Sequence, residues 1–118
     1  MRNLIIVAAV LASLPAHAQE VTDTTSCTVL VAAEDSEARD RVRPFMVYIL
    51  NTMEEMDSKH TEQGEPGIMA QLSDNGRVNM AAATSVHCRD YPKMTVYNSA
   101  AFVYRGIRDM QLEFGTAK

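Results

Sequence analysis

Cys27 and Cys88 are the only cysteines in the chain, and most of a small domain's length lies between them. Joined, they would close one long loop. Chain entropy then gives about 4 kcal/mol of stabilisation, a large share of the ~5–15 kcal/mol that a small domain possesses. Whether they join depends on the compartment. Met1-Arg2-Asn3 is a short positive start, and Leu4 to Leu14 is apolar but for Ser13. Pro15 ends that run, and Ala16-His17-Ala18 places small residues where a signal peptidase reads. This order is that of a secretory signal peptide over residues 1–18. The apolar run is short of the ~20 residues needed to cross a bilayer. The chain is therefore expected to be exported to a bacterial periplasm, where an even cysteine count reads as a disulfide. Two free thiols or a metal-holding pair are the alternatives, and no nearby ligand spacing favours a metal.

The mature chain, Gln19 to Lys118, has 100 residues, enough for one domain. Without Arg2 it carries 10 Lys and Arg against 15 Asp and Glu, a formal charge of −5. Nucleic acid is excluded as an expected partner, because phosphate binding needs a basic patch. No Lys/Arg-rich segment points to an anionic membrane either.

Helical periodicity organises the rest. Gln19 to Thr25 is polar and reads as a flexible arm. Ser26 is placed to cap a short helix carrying Cys27, Val29, Leu30 and Val31. Glu34 to Arg41 is a charged stretch of helical composition. A long helix is predicted from Pro44 to about Lys59, with proline in its first turn. Phe45, Tyr48, Ile49, Thr52 and Met56 share one face, widened by Met46, Leu50 and Met53. Glu54, Glu55, Asp57 and Lys59 form the wet side. Glu62 to Gly67 is a loop, and Ile68 to Leu72 a short packed turn. Ser73 or Asp74 caps a helix running to about Asp90, with Met80, Ala81, Ala82, Ala83 and Val86 as its packing face. Tyr91-Pro92 ends it. Thr95 caps a last helix, Val96 to about Phe114, with a stripe of Val96, Ala100, Val103, Ile107, Met110 and Phe114. Gly115 stops it. No alternating strand pattern appears. The expected fold is all-α, a small bundle of about four helices closed by one disulfide.

Few residues carry chemistry. His87-Cys88 resembles a nucleophile pair in sequence only, since adjacent helical residues do not face each other. Glu54 and Glu55 point apart for the same reason. His60 suits a helix C-terminus as a cation, and metal binding with Glu62 or Glu65 is the sharper alternative. No phosphate loop, zinc motif or nucleophile elbow is present, so neither an enzyme nor a cofactor is expected. The mature chain has seven methionines, Met46, Met53, Met56, Met69, Met80, Met94 and Met110. They read first as adaptable core filling, and second as a promiscuous surface.

Thr25-Ser26-Cys27-Thr28-Val29-Leu30, Phe45 to Leu50, and Val86-His87-Cys88-Arg89-Asp90-Tyr91-Pro92 leading to Thr95-Val96 and Ala100-Ala101 form one pattern. Together with the leader, it resembles the HdeA/HdeB family of periplasmic acid-stress chaperones. The resemblance implies an ATP-independent holdase, folded and often dimeric near neutral pH, which loosens in acid and holds denaturing periplasmic proteins. Under that reading Phe45, Tyr48, Ile49, Val103, Ile107 and Met110 are core at neutral pH and a client or dimer surface in acid. Whether the last helix closes a monomer core or a homodimer interface stays open. Charge is compatible with acid loosening. Once the carboxylates are neutral, ten Lys and Arg and two His leave the mature chain near +12, and self-repulsion loosens compact states. The rival reading is a periplasmic partner-binding protein. Phe45 to Met53, with a proline before the final helix, loosely resembles immunity proteins of the Rap1a/Tai type, which bind one cognate toxin while folded.

Overall fold

A computed structural model describes residues 20–114. The leader (1–18) and the Gly115 stop lie outside the described residues. Four helices follow one another: α1 (Cys27–Asp35), α2 (Arg39–Glu62), α3 (Asp74–Asp90) and α4 (Val96–Glu113), with a single 3-10 turn at Met69–Gln71. Among the described residues there is no strand, only an isolated antiparallel bridge between Ser26 and Thr95. The protein is an all-α bundle closed by a Cys27–Cys88 disulfide with a Cα–Cα distance of 5.0 Å.

Local chemistry sets most helix ends. Ser26 accepts from Thr28 N–H, Ser73 from Gly76 N–H, and Thr95 from Asn98 N–H. Each satisfies one of the orphan donors of a first helical turn. The caps of α1 and α4 lie back to back. Cys27 N–H donates to Met94 O at 2.8 Å and Val96 N–H to Thr25 O at 2.9 Å. The disulfide thus fastens a junction where both helices begin and α3 ends.

Four expectations are corrected. First, α2 begins at Arg39, five residues before Pro44, which lies inside the helix. The proline forfeits one backbone bond, yet Val42 in that extra turn packs against the core. The charged stretch Glu34–Arg41 is broken by a turn in which Glu37 takes a left-handed φ of 61°. Second, residues 20–25 are docked. Val21 packs on the core, Thr22 and Thr25 bond to each other, and Tyr48 Oη–H donates to Asp23 at 2.7 Å. Third, the small-residue face of α3 is rotated: Met80, Ala81, Thr84 and Cys88 are buried, whereas Ala82 and Val86 face solvent. Fourth, Asp57 is buried and not on the wet side of α2.

The core is drawn from lines at every fourth residue. α2 buries Phe45, Ile49, Met53 and Asp57. α4 buries Val96, Ala100, Tyr104 and Arg108, with Ser99 and Ala101 beside them. Both lines end in a charged residue. Leu30 from α1 and Ile68 and Met69 from the connecting segment complete the core. Of the seven methionines after Met1, Met53, Met69 and Met80 are buried, Met46, Met56 and Met94 pack against the core, and Met110 is exposed.

Candidate functional site

The more deeply buried of the two buried charged residues is Asp57, 6% exposed. Its carboxylate joins three parts of the fold. Oδ1 accepts from Ile68 N–H at 2.9 Å, Oδ2 from Met69 N–H at 3.0 Å, and Oδ1 again from the Tyr104 hydroxyl at 2.6 Å. One side chain of α2 therefore holds both the 3-10 turn and α4. The loop must come very close for this. A Cβ at Gly67 would lie 2.7 Å from Asp57 Oδ2 and 2.8 Å from Thr61 Cγ2, so any side chain there would have to displace the Asp57 carboxylate and Thr61. Burial, with the Asp57 carboxylate adjoining, pushes the Tyr104 phenol far above its ordinary range. It stays protonated and donates.

Arg108 extends this latch. It is 8% exposed, and its Nη2 donates to Pro66 O at 2.9 Å. Its Nε has no hydrogen-bond partner among the described residues. At the outer end of the same loop, His60 Nδ1 and Glu65 Oε1 are 2.6 Å apart. That hydrogen bond holds Glu65 below the ordinary glutamate value. The loop from Glu62 to Leu72 is thus fastened to α2 and α4 by side chains at both ends.

The other sequence candidates are distributed differently. Phe45 and Ile49 are fully buried. Tyr48, Val103 and Ile107 are partly covered and pack against the core, while Met110 is 54% exposed and Phe114 72%. The predicted α4 stripe is therefore covered only at its start. Tyr104 and Arg108 take the buried places because α2 and the loop cover that side. Tyr48 also borders a shallow polar groove of about 470 Å³ with Asp23, Asn51, Glu55, Lys59 and Tyr97. Burial and the bond to Asp23 raise its phenol far above the ordinary range, leaving it a donor.

Sequence reasoning missed Asp57 and Arg108. A usable signal existed for Asp57, which continues the Phe45, Ile49, Met53 line at the same interval. His60 and Glu65 are brought together as a hydrogen-bonded pair, with no third ligand among the described residues. Among the described residues no three His, Cys, Asp or Glu side chains gather as a metal set. Glu54 pairs with Arg77 of α3. Arg89 spans back to α1, at 3.0 Å from Glu34 and 2.9 Å from Asp35. His87 is half-buried, its Nδ1 3.0 Å from the Ser99 hydroxyl. Its ring lies 4.5 Å from Phe102 and 4.8 Å from Tyr91. Phe102, Tyr91 and Val86 are exposed, so this cluster forms an aromatic face on the folded protein.

No helix among the described residues is long and apolar enough to cross a membrane. No family model, no curated protein and no solved structure matches this chain.

Proposed function

We propose that the protein is an ATP-independent, acid-activated holdase of the bacterial periplasm, related in function to the HdeA/HdeB chaperones, and that it acts without a cofactor. The observation that carries this reading is the Asp57 latch. Two core side chains, Ile68 and Met69, are held in place through backbone N–H groups on one carboxylate. Each of these bonds is charge-assisted, because the acceptor is a carboxylate. Acid drives the mature chain from −5 towards +12, so self-repulsion grows against the packing that the latch holds together.

The sign of the effect follows from linkage. Carboxylates whose native pKa is depressed, as at Glu65, stabilise the fold fully above their unfolded value of about 4 and lose that contribution as the pH falls through the native value. Loosening of the loop and α4 would uncover Phe45, Ile49, Met69 and Tyr104, and with them the partly covered Tyr48, Val103 and Ile107. The disulfide keeps α1 joined to the end of α3, which limits expansion of the loosened chain. The apolar surface so presented suits unfolded periplasmic proteins of many sequences.

The test is suppression of aggregation of an unrelated denatured client by the mature, oxidised protein at acid and neutral pH. Protection confined to acid, with loss of fixed tertiary structure, supports the holdase. A protein that stays folded and protects nothing at either pH overturns it. A second reading, one cognate partner bound at neutral pH as by Rap1a/Tai immunity proteins, is favoured by the Tyr91, His87 and Phe102 face, which is exposed while the protein is folded.

A further inference from the structure

A second polar site lies apart from the Asp57 latch. The groove of about 470 Å³ beside Tyr48 is walled by three parts of the chain: Asp23 from the docked N-terminal arm, Glu55 and Lys59 from α2, and Tyr97 from α4. Its volume falls within the ~300–1,000 Å³ of small-molecule sites. Asp23, Glu55 and Lys59 are exposed, and none of them is in an ion pair of the described residues.

Glu55 and Lys59 are spaced i, i+4, the order in which a glutamate and a following lysine pair on a helix, yet here they stay apart. One negative and one positive group therefore line the groove side by side, about 6 Å apart along the axis. Asp23 lies towards the other end. The Tyr48 hydroxyl holds it there, donating to Oδ1 at 2.7 Å, and Tyr48 precedes Glu55 by two turns of α2, about 10 Å of rise. The Asp23 carboxylate keeps further acceptor sites for a cation.

We propose that this groove binds a free basic amino acid. The α-ammonium meets Glu55, the α-carboxylate meets Lys59, and the side-chain cation reaches Asp23. The charges match one for one: the site offers two negative groups and one positive, the ligand two positive and one negative. A neutral amino acid leaves Asp23 unmatched and a diamine leaves Lys59 unmatched. A residue within a peptide lacks the adjacent pair of opposite charges. The aliphatic stem packs on Met56 and Tyr97, which also line the groove, as long basic side chains do on apolar surface, and a guanidinium gains from an aromatic face. Asp23, pinned by Tyr48, loses less freedom on binding. This site stands whether or not the protein holds clients.

The experiment is an amide NMR titration of the mature, oxidised protein with L-arginine at neutral pH and low salt. Saturable shifts are expected, gathered on Asp23, Tyr48, Glu55, Lys59 and Tyr97, with a Kd of about 1 mM or tighter. Three altered ligands separate the three contacts. Nα-acetylarginine lacks the ammonium, argininamide the carboxylate, and citrulline the side-chain charge. Each should bind about fivefold more weakly, the size of one exposed ion pair. Each loss should vanish in its own variant: that of acetylation in Glu55→Gln, that of the amide in Lys59→Met, and that of citrulline in Asp23→Asn, which keeps an acceptor for Tyr48. No saturable shift with arginine up to about 10 mM overturns the proposal. So do shifts that gather away from the groove, or ligand losses that persist in all three variants.

Discussion

Replacing Asp57 by Asn removes one acceptor and one charge from the latch without changing its size. In the native protein Oδ1 takes Ile68 N–H and the Tyr104 hydroxyl, and Oδ2 takes Met69 N–H, at 2.9, 2.6 and 3.0 Å. Asparagine keeps one acceptor oxygen and turns an NH2 group towards the remaining donor. A buried donor left unpaired costs about 1–3 kcal/mol, and the retained bonds lose their charged acceptor. The sum is a destabilisation of about 3 kcal/mol. For a domain of this size that lowers the melting temperature by roughly 10–20 °C. Urea unfolding at pH 7 gives the free energy, and amide hydrogen exchange reads Ile68 and Met69 directly. The variant is a permanently uncharged form of the latch, so it should also bind an apolar dye at a pH where the wild type does not. A loss below about 1 kcal/mol, with both amides still protected, would refute the reasoning, because the carboxylate would then not be what holds the turn.

Gly67→Ala should destabilise by about 1–3 kcal/mol through overpacking, since its Cβ would fall 2.7 Å from Asp57 Oδ2; an unfolding midpoint equal to wild type would show that the loop adjusts freely. Removing the disulfide, as Cys27→Ser with Cys88→Ser, should cost up to about 4 kcal/mol and let the N-terminal junction open, seen as faster exchange of the Cys27 and Val96 amide positions. Because Glu65 is depressed below its ordinary 4.5 by the bond from His60, its contribution is present above that pH and disappears as the pH falls through the native value. Glu65→Gln should therefore be less stable than wild type at pH 7 and converge with it in acid, and a constant offset across the titration would contradict the assignment.

Local features were read correctly from the chain. The caps at Ser26, Ser73 and Thr95, the helix end at Tyr91, the loop after Glu62 and the turn near Met69 all appear where side-chain chemistry within a few residues sets them. The burial pattern was less legible. On α2 the apolar residues cover so wide an arc that periodicity puts Tyr48, Thr52 and Met56 on one face with Phe45 and Ile49 and leaves Met53 at its margin, whereas Met53 is fully buried and Tyr48 and Met56 are only partly covered. On α4 the apolar line through Met110 and Phe114 was as regular as a core stripe, yet it continues past the point where any described helix covers it. Periodicity reports that a face is apolar. It does not report whether this chain or another one covers it.

The sequence by itself determined four helices, their order and most of their ends, because caps, prolines and glycines act over three or four residues of chain. It also offered a cysteine pair with one pairing to choose. The four-residue line of Phe45, Ile49 and Met53 points at Asp57, but the tertiary structure alone decided what lets a carboxylate stay buried there. Its partners are the N–H groups of Ile68 and Met69, 11 and 12 residues on, and a hydroxyl 47 residues away. A carboxylate is stable in a core only when such distant donors converge on it, and convergence is a property of the packed helices, invisible in any one of them.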